Sequence, residues 1–528
     1  MRTLVLCLLT GFLALGNASA WAATFLANDL TDAVDVAPGN GVCATARGTC
    51  TLRAAIQEAN ALAGPDQVTL AAGVHELSLA GADEDQGATG DLDVLDDLTI
   101  AGANAYLAVI DANGIDRVLD QAPDGPPGTL ILRDLTLRGG DVAGRGGGLR
   151  HAYAVDAARI IVTGNRADAG GGLATADEGA PALDLGESIV SLNTAADGGG
   201  IDAADALVSS VDLTIIVGNS AANRGGGVRF AGPLSDDPML LDRLTVYGNN
   251  VHGGRDPRGG GVYGDGPLAL DQSWIGHNLV GAWGSAPDGK GRGGGVYLAA
   301  RDRSSMTNTT IEGNLAAAAG AIGTQGIVDV THVTIARNAS TRGGALHAYG
   351  AGVFYLANTI IGENTPANCS GTLPFWAGNN LETTNESCLL DWYTMAVQLD
   401  ALGYYGGPTR TIPPLPGSGA IEGGLDAGID VDQRGVARPQ LAQFDLGAVE
   451  MQDGRARQKY TGGFSSRPHR CDLDRNGRVD FADLDRLIVG FGTGSGGNAG
   501  QRLRQCIAAC THAGCPAVAL IKKPTAGG

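Results

Sequence analysis

The sequence predicts an all-β fold: a right-handed, single-stranded parallel β-helix, with a helical cap at its N-terminus and a small α-helical calcium-loop module at its C-terminus. Three observations carry this expectation. An aliphatic residue followed three places later by Asn recurs eight times between residues 160 and 370, most clearly in VTGNRADAGGGL, VSLNTAADGGGI and IVGNSAANRGGGV. Glycine is abundant (84 residues) and aromatics are few (5%), as suits coils that stack through small and β-branched side chains. Near the C-terminus, oxygen donors recur through one twelve-residue loop.

The asparagines are Asn165, Asn193, Asn219, Asn249, Asn278, Asn314, Asn338 and Asn364, at intervals of 24 to 36 residues, the range that marks a solenoid. Three places before them stand Val162, Val190, Ile216, Val246, Ile275, Ile311, Ile335 and Ile361. Every one is β-branched, which suits an inward column in a parallel sheet. Asparagine tolerates left-handed backbone and can bond its amide to the copies above and below. The glycines that follow suit turns where coils approach closely or φ is positive. Extra polar residues enter between Asn249 and Gly259 and between Asn278 and Gly293, and insertions in a solenoid map to surface loops, often on one face. The handedness follows from the crossover rule for parallel strands.

Ahead of the coils, residues 1–23 read as an export signal: Met1-Arg2, an apolar run from Leu4 to Leu15, then small residues allowing cleavage after Ala20, Ala22 or Ala23. That run is too short to span a bilayer, and no later stretch qualifies. Setting Cys7 aside with the signal leaves eight cysteines, an even number in an exported chain. The simplest local pairs are Cys43 with Cys50 and Cys369 with Cys388; Cys471, Cys506, Cys510 and Cys515 leave three pairings open. A formal charge of −20 argues against a nucleic-acid partner and against docking on an anionic membrane. These observations place the chain outside the cell or on its surface.

The expected segments are a cap over 24–63, the parallel β-helix over 64–370, its C-terminal end over 371–451, a linker over 452–470, the calcium-loop module over 471–516 and a tail over 517–528. In the module, Asp472, Asp474, Asn476, Asp480 and Asp483 supply side-chain oxygens and Arg478 a carbonyl, with Gly477 at the sharp turn. Ca²⁺ takes six to eight oxygens, and this spacing wraps them around one ion. Leu484, Leu487 and Ile488 share the apolar face of a following helix.

Two flanks resemble known families. Cys50-Thr-Leu-Arg-Ala-Ala-Ile-Gln-Glu-Ala-Asn60 is similar to the segment that names the CSLREA domain, departing at Thr51 and Ala54. Leu52, Ala55, Ile56 and Ala59 share one helical face, which suits a plug over the first coil. Asp432-Gln-Arg-Gly-Val-Ala-Arg-Pro439 and Asp445-Leu-Gly-Ala-Val-Glu450 resemble the end of the choice-of-anchor Q domain. Together these resemblances imply a surface-destined β-helix of the pectin-lyase-like type, without a particular reaction. The Asp472–Asp483 loop resembles the first half of a dockerin, which implies a calcium-dependent attachment module and a cohesin-like partner. The second half is degenerate in this chain.

Function on the coils is less plainly written. Residues after each glycine turn are expected to point outward: Arg150, Ala174, Asp202, Arg229, Tyr263, Tyr297, Gly323 and His347. Among them Asp202, Arg229, Tyr263 and Tyr297 form the candidate ligand-binding set, because tyrosines beside charged groups can stack on and hydrogen-bond sugar rings. A second polar cluster, His252 to Arg258 with His277, lies in or beside the insertions. No paired-carboxylate or lyase-type basic segment stands on a coil, and Asp202 with Asp205 is the nearest acidic pair. The expected function is non-catalytic binding of polysaccharide or another cell-surface partner; the alternative is a polysaccharide lyase or glycoside hydrolase.

Overall fold

The structure, a computed structural model, describes residues 22–452 apart from 83, 122–126, 205–207, 232–236, 282–289, 377, 384–385 and 390–397. The calcium loop at Asp472–Asp483, the four cysteines from Cys471 onward and most of the export signal lie outside the described residues.

The chain is a parallel β-solenoid of about 10 turns. Each full coil visits four parallel sheets in turn. For one coil these are Val208–Asp212 in a 13-stranded first sheet, Ile215–Val217 in a 12-stranded second, Ser220–Arg224 in a 6-stranded third and Val228–Ala231 in an 11-stranded fourth. Each of these four strands pairs with its counterparts one coil before and after. The aliphatic residues form a single register column in the second sheet, from Val162 through Val190, Ile216, Val246, Ile275, Ile311 and Ile335 to Ile361, all fully buried. They join one core that runs the length of the coils.

The asparagines fill the corner between the second and third sheets and are buried. Asn219 shows the pattern. Its Oδ1 accepts from both the backbone N and Nδ2 of Asn193, each at 3.0 Å. Its own Nδ2 donates to the carbonyl of Val190 and to Oδ1 of Asn249. The ladder continues to Asn364, whose Nδ2 ends it on Asn368. The left-handed residue, however, is the one before the asparagine: Gly164, Leu192, Gly218, Gly248, His277, Gly313, Arg337 and Glu363 all have φ between +51° and +68°. That position reverses the chain, which leaves the asparagine side chain aimed into the corner.

A second corner, between the first and second sheets, escaped the sequence reading. Glu187, Leu213, Arg243, Gln272, Asn308, His332 and Asn358 have positive φ. The next residue is Ser188, Thr214, Leu244, Ser273, Thr309, Val333 or Thr359, and the hydroxyls accept from the coil below, as Thr214 Oγ1 does from Ser188 N at 3.3 Å. The signal was present as a Ser or Thr two places before the inward aliphatic residue, but it is broken by Leu244 and Val333.

The cap forms as one helix, Leu52–Ala61, with Thr51 as its N-cap accepting from Ala54 N. Leu52, Ala55, Ile56 and Ala59 are buried against the core. Asn60 bonds the carbonyl of Asp93 and the N–H of Leu95, so it partners the backbone around Leu92–Val94, the strand at the end of the fourth sheet. Cys43–Cys50 and Cys369–Cys388 are disulfide-bonded.

Residues 398–452 do not continue the coils. They run back along the outer face of the second sheet as a strap. Thr409 Oγ1 donates to the Gln272 carbonyl, Gln433 bonds Ser273 and Thr310, and Ala448 N donates to Thr334 Oγ1. The strap's own fold rests on a buried ionic knot: Arg434 pairs with Asp432 at 2.6 Å and Arg438 with Glu450 at 2.9 Å, all four side chains at most 1% exposed. Arg438 also donates to the carbonyls of Asp445 and Gly447. The charged residues of the two C-terminal motifs therefore build the strap.

Candidate functional site

With the second sheet strapped, the fourth sheet carries the most chemistry on its outer face. Its glycine turns explain how. In Gly225–Gly227, a Cβ on Gly226 would meet the backbone of Gly260 and, at 2.7 Å, the Asn250 carbonyl, while one on Gly227 would stand 2.7 Å from the Gly261 carbonyl. At the middle position, where Gly226, Gly260 and Gly294 stack, a side chain would press on the next coil's backbone, and the strand after the turn starts in the same register from coil to coil. The central residues of these strands align as Asp93, Asp120, Arg150, Ala174, Asp202, Arg229, Tyr263, Tyr297, Gly323, His347 and Ser370. All eight residues expected to point outward fall in this one column.

They are nevertheless not a bare platform, which corrects the expectation of an open aromatic strip. Asp202 is 0%, Tyr263 2% and Tyr297 0% exposed. The cover is a second column, made by the residues just before the glycine triplets. Arg224, Arg258 and Arg292 are parallel bridge partners on successive coils. The Arg224 guanidinium lies 5.3 Å from the Tyr263 ring centre, Arg258 4.9 Å from Tyr297, and Arg292 5.1 Å from Tyr349. Tyr263 and Tyr297 stack beneath with their planes within 6° and centres 6.1 Å apart. Cation–π attraction holds each guanidinium over a ring. Arg224 is exposed, and the side chains of Arg258 and Arg292 are 18% and 35% exposed. Asp256 lies between the last two, bonded to Arg258. Burial pushes the Tyr263 hydroxyl up, so it remains a neutral donor.

Asp202 is held by Arg229 at 2.7 and 2.8 Å and by Arg145 at 3.3 Å. Burial pushes its carboxyl up, and the two guanidiniums oppose that shift. Asp205 lies outside the described residues. The insertions border the arginine column, since His252–Pro257 leads directly into Arg258 and the chain after residue 289 into Arg292. His277, expected beside them, lies instead on the second sheet, where it contacts Glu312 at 3.2 Å and the rings of Tyr247 and Trp274. Beyond Tyr297, Ser370 Oγ stands 2.7 Å from His347 Nδ1.

The N-terminal end of the column is acidic. Arg117 bonds Asp91 and Asp120, and Arg150 takes both oxygens of Asp120. Burial above all, with added repulsion from neighbouring carboxylates, pushes Asp91 up to about 7 and Asp93 up to about 8.

No protein-family model, curated protein or solved structure matches this chain. Fold and site thus define a class, a disulfide-bonded parallel β-helix with an arginine-over-tyrosine column on one face. The fold and disulfides fit a secreted or surface protein, and no described helix is long and apolar enough to cross a membrane.

Proposed function

We propose that the chain is a secreted or cell-surface β-helix that binds polysaccharide or a carbohydrate-bearing surface partner without cleaving it. The observation that carries this reading is the guanidinium column Arg224–Arg258–Arg292 laid on Tyr263, Tyr297 and Tyr349. Arginine presents a planar fork of donors that matches carboxylates, and a stacked guanidinium loses little freedom on binding. Adjacent strands repeat about every 4.8 Å, so the forks recur along one direction, as the groups of an extended glycan do. Tyr263 and Tyr297 enter as the rings that orient the forks of Arg224 and Arg258, and the Asp202–Arg229 ion pair continues the same strand column beside them. The carboxylate of Asp202 is committed to two arginines, which disfavours its use as a free acid or base.

Attachment falls to the C-terminal module, with Ca²⁺ held by Asp472, Asp474, Asn476, Arg478, Asp480 and Asp483 and a cohesin-like receptor as partner. Support for that part is the donor spacing in the sequence alone. A glycan array read beside assays for unsaturated uronates and reducing ends tests the binding part of the proposal. Retention of carboxylated glycans without product is expected; product release, or no retained glycan, contradicts it.

A further inference from the structure

The acidic end of the fourth sheet carries an arrangement that the glycan reading leaves unused. Asp93, in the terminal strand Leu92–Val94, is the register partner of Asp120 in Leu119–Gln121. Two outward carboxylates therefore stand side by side on parallel strands, where like charges repel. Asp85, from the loop before the strand, supplies a third carboxylate, and one oxygen from each of the three lies within 4.8 Å of the others.

Charge near this point does not balance. Ionised together, Asp85, Asp91, Asp93 and Asp120 would set four negative charges against the two guanidiniums of Arg117 and Arg150. Arg117 is shared between Asp91 and Asp120, and Arg150 is spent on Asp120. Asp93 receives neither. It is 0% exposed, its Oδ2 accepts from Gly87 N at 2.6 Å, and its Oδ1 has no hydrogen-bond partner. A buried carboxylate oxygen without a donor, beside two further carboxylates, is an unusual thing for a fold to keep.

We propose that Asp85, Asp93 and Asp120 form a site for a hard divalent cation, Ca²⁺, which fastens the loop around Asp85 to the end of the fourth sheet. All-carboxylate donors select a hard ion over a thiophilic or imidazole-preferring one. Asp93 and Asp120 come from regular strands, so two of the three ligands are held rigidly, while Asp85 closes the site from an exposed loop. This site is separate from the C-terminal calcium loop and independent of the glycan reading.

The test uses the full chain carrying Asp472→Ala, which silences the C-terminal loop, and compares it with the same chain carrying Asp93→Asn as well. Calorimetric titration with CaCl₂ is expected to show one equivalent bound in the first protein and at least tenfold weaker binding in the second. Calcium should raise the melting temperature of the first only. Without calcium, Asp93→Asn should not lower it, because the amide keeps an oxygen to accept from Gly87 N and places no charge beside Asp120. Asp85→Asn, on the exposed loop, provides a second variant with no core to disturb and should also weaken binding at least tenfold. No heat of binding in the Asp472→Ala chain, or equal affinity after Asp93→Asn or Asp85→Asn, overturns the proposal.

Discussion

Asn219 satisfies two backbone groups and two side-chain amides from within a buried corner. Removing its amide strands the N–H donors of Asn193 and the carbonyl of Val190. Each unmet buried group costs about 1 to 3 kcal/mol, so Asn219→Ala is expected to destabilise by on the order of 4 kcal/mol; a urea midpoint within error of the parent would contradict the ladder's role. A different residue sets an acid limit. Burial first, then Arg438, pushes His332 down to about 3. The unfolded chain protonates near 6.5 while the folded chain does not, so this contribution is complete above 6.5 and is lost as pH falls toward 3. Between pH 6.5 and 5 the loss is about 2 kcal/mol. His332→Asn keeps a side chain that tolerates the residue's φ of +53° and should flatten the acid slope by about that amount. Urea midpoints for both proteins at pH 7 and pH 5 measure it, and parallel slopes would refute the assignment.

Along a coil, the elements are set by two kinds of glycine that the repeat does not distinguish. Gly248 has φ of +62° and an added Cβ would meet nothing within 4 Å, so Gly248→Ala should cost only about 1 kcal/mol for the left-handed backbone. A Cβ on Gly260 would press on the Gly294 carbonyl and stand 2.8 Å from the backbone of Leu279. Gly260→Ala should therefore cost about 3 kcal/mol or more, and thermal melts of the pair decide whether the two roles differ. The aliphatic register, the asparagine ladder, the cap helix face and two disulfides were legible because each depends on one residue type recurring or on nearest neighbours. The corner led by positions such as Leu213 and His332 was not, since its φ is positive without glycine. The column from Arg150 to His347 aligns as expected, yet its burial was missed: the guanidiniums over Tyr263 and Tyr297 come from the preceding coil and one of those holding Asp202 from the following coil, and sequence order does not say which side chain folds over which. The strap was missed for a related reason, because Gln433 reaches Ser273 and Thr310 across more than 100 residues.

At the scale of the molecule, a net charge of −20 surrounds a face where arginines recur coil after coil. The strap closes the outer second sheet over Trp274, Thr310, Thr334 and Ile360, while the arginine column stays accessible beside the insertions. The column sets a locally positive strip on an acidic protein, the kind of patch that draws an anionic ligand. The proposed binding runs through the guanidinium forks. Its most direct measurement is calorimetry of the whole chain with a carboxylated oligosaccharide, before and after Arg224→Gln, Arg258→Gln and Arg292→Gln together. Loss of three charge-assisted donors predicts binding weaker by about a hundredfold or more, with the fold retained. Equal affinity in the triple variant would place the ligand elsewhere and contradict the account.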